Sequence, residues 1–308
     1  MPIIDAQVHA YERNHPGRPW HAVLHGPPEV TGADMVKAMD AVGVDGAILV
    51  SAFTMYRFDA SYAVSVRNTY PDRFALVKPV DPNDAAVAET IADWQATPGA
   101  VAIRIMMRGD VSADPADPGI NHVLATAAKR DLPVNLLCWG RLDQVHELAR
   151  RNPDTRLVID HLGLQQPFEP PRMENGFDEL PKLLALAAFP NIVVKITGAC
   201  TLSRGGYPYS DIWEPLARIF DAFGLQRLNG LGVNDRSAVV SQFDGLPVRN
   251  FVELYGIWKI TGIARQNPRN VLPNGDFVGL QTMRQHRCRV IRPLPTQCGG
   301  NSVSSGTH

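Results

Sequence analysis

Cysteine is scarce in this chain: four in 308 residues, at positions 138, 200, 288 and 298. None has the CxxC spacing of a metal or redox pair, and four so placed do not form a disulfide framework. Cys138 lies in an apolar run, where an inert buried thiol is expected. Long hydrophobic runs are also missing. No stretch approaches the ~18 apolar residues of a membrane-spanning helix, and no basic segment precedes an apolar one at the start, so neither a membrane span nor a signal peptide is expected. Charge of one sign is not in excess, with 30 basic against 31 acidic residues. A broadly basic face for nucleic acid or an anionic membrane is therefore not expected. These absences point to a reducing, cytoplasmic setting and a small-molecule substrate, and they leave a homo-oligomer open.

The chain has ordinary apolar (45%) and charged (20%) content for a soluble globular protein. Short, continuously apolar runs fall at 2–9, 45–51, 73–80, 100–106, 133–138, 156–161 and 191–197. Continuous runs are the mark of parallel strands covered on both faces. Amphipathic stretches at 31–43, 84–96, 140–152 and 210–224 separate several of them, with Thr31 and Ser210 as expected N-caps and Gly43 and Gly224 beyond the last turns. Seven strand–helix units in series predict a parallel α/β fold. A doubly wound sheet normally carries a glycine-rich turn after its first strand. Here that strand leads into "HAYERNHPGRPWHAVLHGPP", which lacks the GxGxxG spacing. A (β/α)8 TIM barrel is the expectation, and in a barrel the polar residues at the C-terminal strand ends face the active-site mouth.

That rule selects the candidate residues. Asp5, Gln7 and His9 alternate along the first strand and so share a face. His9 has the chemistry of a divalent-metal ligand; Gln7 offers only a neutral amide, a poor partner for zinc. The bland alternative is a histidine satisfied by backbone at the barrel rim. In "LVIDHLG", Asp160 and His161 end the sixth strand. Neighbours on a strand face opposite ways, so His161 is taken as the inward residue and Asp160 as its orienting acceptor, unless the strand is irregular there. Arg104 and Lys195 are cations inside apolar strands, where an unpaired charge is costly. Either anchors a substrate carboxylate, the reading preferred for Arg104, or pairs internally with Asp5, Asp160 or Asp81; for Lys195 both remain open. His21, His25 and Tyr56 lie in segments able to wall a pocket.

In "IIDAQVHAY", "MVKAMDAVGVDGAILV", "YPDRFALVKPVDP", "AVAIRIM", "LVIDHLG", "NIVVKITG" and "PLARIFDAFGLQRL", over roughly residues 2–228, the chain resembles amidohydrolase family 2. These TIM-barrel metal-dependent hydrolases include sugar lactonases and 2-pyrone-4,6-dicarboxylate lactonase. The resemblance implies hydrolytic opening of a small carboxylate-bearing lactone or related cyclic ester, with decarboxylation as an alternative seen in a few relatives. By position, Gln7 and His9 match the family's paired histidines and His161 its strand-six histidine, while Arg104 and Lys195 fall on substrate-binding strands. The resemblance implies one divalent metal, zinc or manganese, held in part by His9 and His161, or a metal-independent subgroup.

The pattern departs from the family after residue 228. A segment like Trp-Gly-Ser-Asp-Trp normally follows, its Asp serving as general base, but that position is Val233, and Asp235 lies two residues on. His9, His161 and Asp235 are thus the expected catalytic set, with Gln7, Arg104, Lys195, Tyr56 and His25 around the substrate. The alternatives are an impaired pseudoenzyme that has lost its base, or a product whose reading frame changes after Leu228. Residues 1–258 are assigned to the barrel and 259–308 to an irregular extension. The stretch 259–292 has several Arg and Lys but one carboxylate, Asp276. It reads as a disordered tail in preference to an arm for RNA or an acidic partner.

Overall fold

The computed structural model describes residues 4–23, 26–108, 111–166, 175–205, 209–224 and 227–228. The proposed boundary at residue 258 and the extension beyond it lie outside these residues. Seven strands form one sheet in sequence order, every neighbouring pair parallel: β1 (Ile4–Val8), β2 (Gly46–Val50), β3 (Phe74–Pro79), β4 (Ala100–Met106), β5 (Val134–Leu137), β6 (Leu157–Ile159) and β7 (Ile192–Val194). The helices between them are α1 (Gly32–Val42), α2 (Phe53–Tyr56), α3 (Ser61–Thr69), α4 (Val87–Ala96), α5 (Pro118–Lys129), α6 (Leu142–Arg151) and α7 (Leu180–Ala185), with α8 (Trp213–Phe223) after β7. The fold is that of a TIM barrel whose first seven βα units are described; the closing unit falls outside the described residues.

Two-residue alternation sorts the strands into an outer and an inner face. Ala6 and Val8 of β1, Ala47 and Leu49 of β2, Phe74 and Leu76 of β3 and Ile103 and Ile105 of β4 join the large core shared with the helices. Ile48, Val50, Ala75, Val77, Val101 and Ala102 form a separate apolar cluster within the sheet's concavity. Small residues at 75 and 102 suit the crowded interior of a curled sheet. The polar residues of these inward rows are Asp5 and Gln7 on β1, Arg104 on β4 and Asn135 on β5, all buried. Asp160 and Lys195 continue the inward rows of β6 and β7 just past their last residues, and they too are buried.

Helix ends mostly follow the chemistry expected of them. Thr31 and Asp34 form a reciprocal capping box on α1, and Gly43 closes it in the left-handed conformation (φ 72°). Ser210 is a correction. The residues it was expected to cap open as a 3-10 turn, Ser210–Ile212, and the α-helix begins only at Trp213 with no side-chain cap. Pro215 explains the delay: it has no N–H to give Asp211 O, so the α-helical ladder cannot start at Ser210.

Beyond β6 the chain turns sharply. His161, Leu162 and Gly163 all have positive φ (54°, 61° and 66°), and Leu162 N donates to Lys195 O at 2.9 Å. A left-handed residue other than glycine costs roughly 1–2 kcal/mol, so the surrounding structure must hold this turn in place. A side chain at Gly163 is disfavoured by its positive φ and by Leu142, whose Cδ2 a Cβ would meet at 2.5 Å and have to displace. Gly163→Ala is expected to lose more than ~1 kcal/mol of stability, read as a lower urea midpoint. A midpoint equal to wild type would show that the turn relaxes freely.

Candidate active site

The polar inward positions meet at the C-terminal end of the sheet. Asp160 sits at their centre, fully buried. Arg104 Nε donates to its Oδ2 at 2.7 Å, Lys195 Nζ stands 3.1 Å from its Oδ1, and Asn135 Nδ2 donates to Oδ1 at 3.3 Å. Burial by itself would raise the Asp160 pKa; the Lys195 and Arg104 charges overcome it and hold the carboxyl well below the usual carboxylate range. Burial likewise pulls the Lys195 pKa down, and Asp160 opposes that shift. Of the five N–H groups on Arg104, only the one on Nε has a hydrogen-bond partner among the described residues. Its two terminal nitrogens have no hydrogen-bond partner among these residues.

A second group lies beside the first. His9 Nδ1 is 2.8 Å from Val50 O, and His161 Nδ1 is 2.8 Å from Thr197 Oγ1. The Nε2 atoms of both rings face the amide nitrogen of Gln7, at 3.4 Å for His9 and 3.0 Å for His161. Gln7 Oε1 accepts from Lys195 Nζ at 3.3 Å, which ties the two groups together. Both imidazoles are hard to protonate. Burial and the Arg104 charge lower the His9 pKa to about 4. Burial lowers that of His161 to about 3 against the attraction of Asp160. Both rings are therefore neutral at pH 7.

The left-handed turn explains how His161 reaches the mouth alongside its neighbour. Asp160 continues the inward row of β6, and the positive φ at residue 161 swings the histidine back to the same side. The expectation that only one of the pair faces inward is corrected by this irregularity. The partner of His161 is also corrected, since Thr197 takes the Nδ1 contact expected of Asp160. Gln166 Nε2 donates to the carbonyls of His161 (3.2 Å) and Thr197 (2.9 Å), clamping the two strand-end turns together. The rim beside them is apolar. Phe53, Met106 and Leu137 cluster there with Phe58 and Trp139. The Trp139 ring lies 5.8 Å from His161, centroid to centroid, and its buried Nε1 has no hydrogen-bond partner among the described residues.

Other candidates stand apart from this cluster. The Tyr56 hydroxyl accepts from Glu12 N at 3.0 Å, which ties it to the segment after β1. His21 is exposed and bonds Met55 O through its backbone. Lys78, a third cation in a largely apolar strand (β3), lies over the Trp94 ring, 5.9 Å from its centroid. Cys138 is fully buried, and burial pushes its thiol pKa up, as expected of an inert cysteine. His25 and Asp235 lie outside the described residues. Sequence reasoning missed Thr197, Asn135, Gln166 and Trp139. For Thr197 a signal existed, because it lies two residues after Lys195 and so shares its strand face.

The alignment with protein families now has a structural counterpart. The family model described as "Amidohydrolase" matches residues 4–228, which end where the described part of the chain ends. The chain belongs to the amidohydrolase family. Solved structures similar to this amidohydrolase include an amidohydrolase from Burkholderia multivorans with bound zinc, at 24% identity and a TM-score of 0.62. Another is a probable 2-pyrone-4,6-dicarboxylic acid hydrolase from Acinetobacter baumannii with citric acid bound, at 19% identity and a TM-score of 0.58. Each alignment covers 74% of this chain and 82% of the other. At these identities the likeness shows the fold. No curated protein matches the chain. No helix among the described residues is long and apolar enough to cross a membrane.

A divalent metal does not fit the described donors of this amidohydrolase. Among the described residues, no group of three or more His, Cys, Asp or Glu side chains could hold one. The two imidazole Nε2 atoms both face the Gln7 amide nitrogen within hydrogen-bond distance.

Proposed function

We propose that this amidohydrolase opens a small lactone, or a related cyclic ester, that carries a carboxylate. The observation that carries the reading is the state of Arg104: its Nε is bound to Asp160 while its terminal nitrogens have no hydrogen-bond partner among the described residues. A guanidinium fixed on one edge presents its other N–H groups in a rigid fork that matches a carboxylate. The apolar rim of Phe53, Met106, Leu137 and Trp139 suits the carbon skeleton of a small ring.

The reaction requires a base to take a proton from water as hydroxide adds to the lactone carbonyl; collapse of the tetrahedral adduct then breaks the ring C–O bond, and the departing oxygen takes the proton back from the base. A general base works best when its pKa lies near the working pH. His9 and His161, with pKa values near 4 and 3, are weak bases, and their part is to hold the Gln7 amide and shape the floor of the site. The base is therefore assigned to a carboxylate of the closing βα unit, for which Asp235 is the candidate. Lys195 and Arg104 supply positive charge close to the oxyanion that develops.

Arg104→Lys tests the reading, because it keeps the charge beside Asp160 and removes the fork. Turnover of a carboxylate-bearing lactone is expected to fall on the order of 10- to 100-fold in kcat/KM, the value of one or two charge-assisted hydrogen bonds. An uncharged lactone of the same ring size should change far less. Equal losses on both substrates would assign Arg104 a structural role only.

A further inference from the structure

The hydrogen-bond roles around Gln7 can be assigned one after another. Lys195 Nζ only donates, so the Gln7 atom facing it is the oxygen, and the amide NH2 faces the two imidazoles. Val50 O only accepts, so His9 carries its proton on Nδ1 and offers a lone pair on Nε2. His161 Nε2 also faces an N–H donor and must accept, which puts its proton on Nδ1, donated to Thr197 Oγ1. Two N–H bonds of one amide thus meet two imidazole lone pairs, and every polar atom of the set has a partner of the right kind.

We infer that the Gln7 carboxamide takes up the two imidazole lone pairs that a divalent cation would need, bridging His9 and His161 with its two N–H groups and barring metal from this site. A bound cation would draw on the same two Nε2 lone pairs and so would have to break both hydrogen bonds at once. Turning the amide over does not make room either, because it would point NH2 at the Lys195 ammonium and leave that donor facing a donor. What bars the cation is thus one side chain, with both imidazole ligands left in place. Gln7→Glu keeps the side-chain shape and replaces the barring NH2 by oxygen. It converts the site to two imidazoles and a carboxylate, a donor set that binds zinc in catalytic centres.

Zinc titration of the full chain, together with nitrogen-15 spectra of its histidines, tests the inference without any substrate. The results of that test therefore stand or fall separately from the lactone reading. The wild-type protein is expected to retain no zinc beyond trace after gel filtration. His9 and His161 should both show the Nδ1–H tautomer, with Nε2 shifts that do not move on adding zinc. Gln7→Glu is expected to bind zinc at least on the order of 100-fold more tightly than wild type. Stoichiometric zinc in the wild-type protein with displaced Nε2 resonances would overturn the inference, as would Nε2–H tautomers or a folded Gln7→Glu variant with no gain in affinity. If Gln7→Glu does not fold, the wild-type spectra decide alone.

Discussion

Replacing Asp160 by Asn is expected to lower stability by about 3–5 kcal/mol, the typical result of removing one partner from a buried ion pair. Arg104 and Lys195 share this carboxylate at 2.7 and 3.1 Å, and all three side chains are almost inaccessible to water. Without it two buried cations face each other with less compensation, against a total stability that for a typical domain is only about 5–15 kcal/mol. The comparison is Asp143→Asn, which removes an exposed partner of Lys182 and should cost less than ~1 kcal/mol. Urea denaturation of both variants separates the buried cluster from charge in general. An Asp160→Asn loss no larger than that of Asp143→Asn would mean that solvent reaches the cluster. The variant should also grow more stable as pH rises. Loss of Asp160 removes the main force holding the Lys195 pKa up against burial, so the unfolded chain binds the Lys195 proton more tightly than the folded one.

Much of the framework could be read from residue order because it rests on local rules. Continuous apolar runs located all seven strands, and β6 and β7 differ mainly in ending early, where the backbone leaves the strand at Asp160 and Lys195. The alternation of Asp5, Gln7 and His9 placed Gln7 and His9 together beside the site. What escaped depends on backbone conformation or on contacts far apart in sequence. Nothing in "DHLG" announces three successive left-handed residues, since histidine and leucine rarely adopt that conformation. That turn brings Asp160 and His161 to the same side. For Arg104 and Lys195 the sequence left substrate anchoring and internal pairing side by side. Their shared bond to Asp160, from β4 and β7 to the end of β6, needs the curvature of the sheet. For Arg104 the geometry shows the internal pairing, through Nε, and among the described residues its terminal nitrogens have no hydrogen-bond partner. Gln7 is the case where a departure from the family pattern had a readable chemical sense, because an amide can donate where a metal would accept.

Acid should destabilise the protein before its ordinary carboxylates titrate. His9 and His161 have folded-state pKa values near 4 and 3, against roughly 6.5 for histidine in an unfolded chain. Between those limits the unfolded chain binds protons that the folded one refuses, so stability is fully present above about pH 6.5 and falls as pH drops towards the folded values. Two such groups give a slope approaching ~2.7 kcal/mol per pH unit and a total loss on the order of several kcal/mol, reduced where the mouth admits water. Asp160 acts in the same direction at lower pH: its depressed pKa contributes stability that is present above about 4 and lost below it. The window from pH 6.5 to 5 isolates the imidazoles. Urea midpoints measured there should fall steadily in the wild type and about half as steeply in His161→Gln, which removes one of the two groups. A wild-type midpoint that stays level across this window would show that the rings accept protons in the folded state, and that the Gln7 amide does not hold their Nε2 lone pairs.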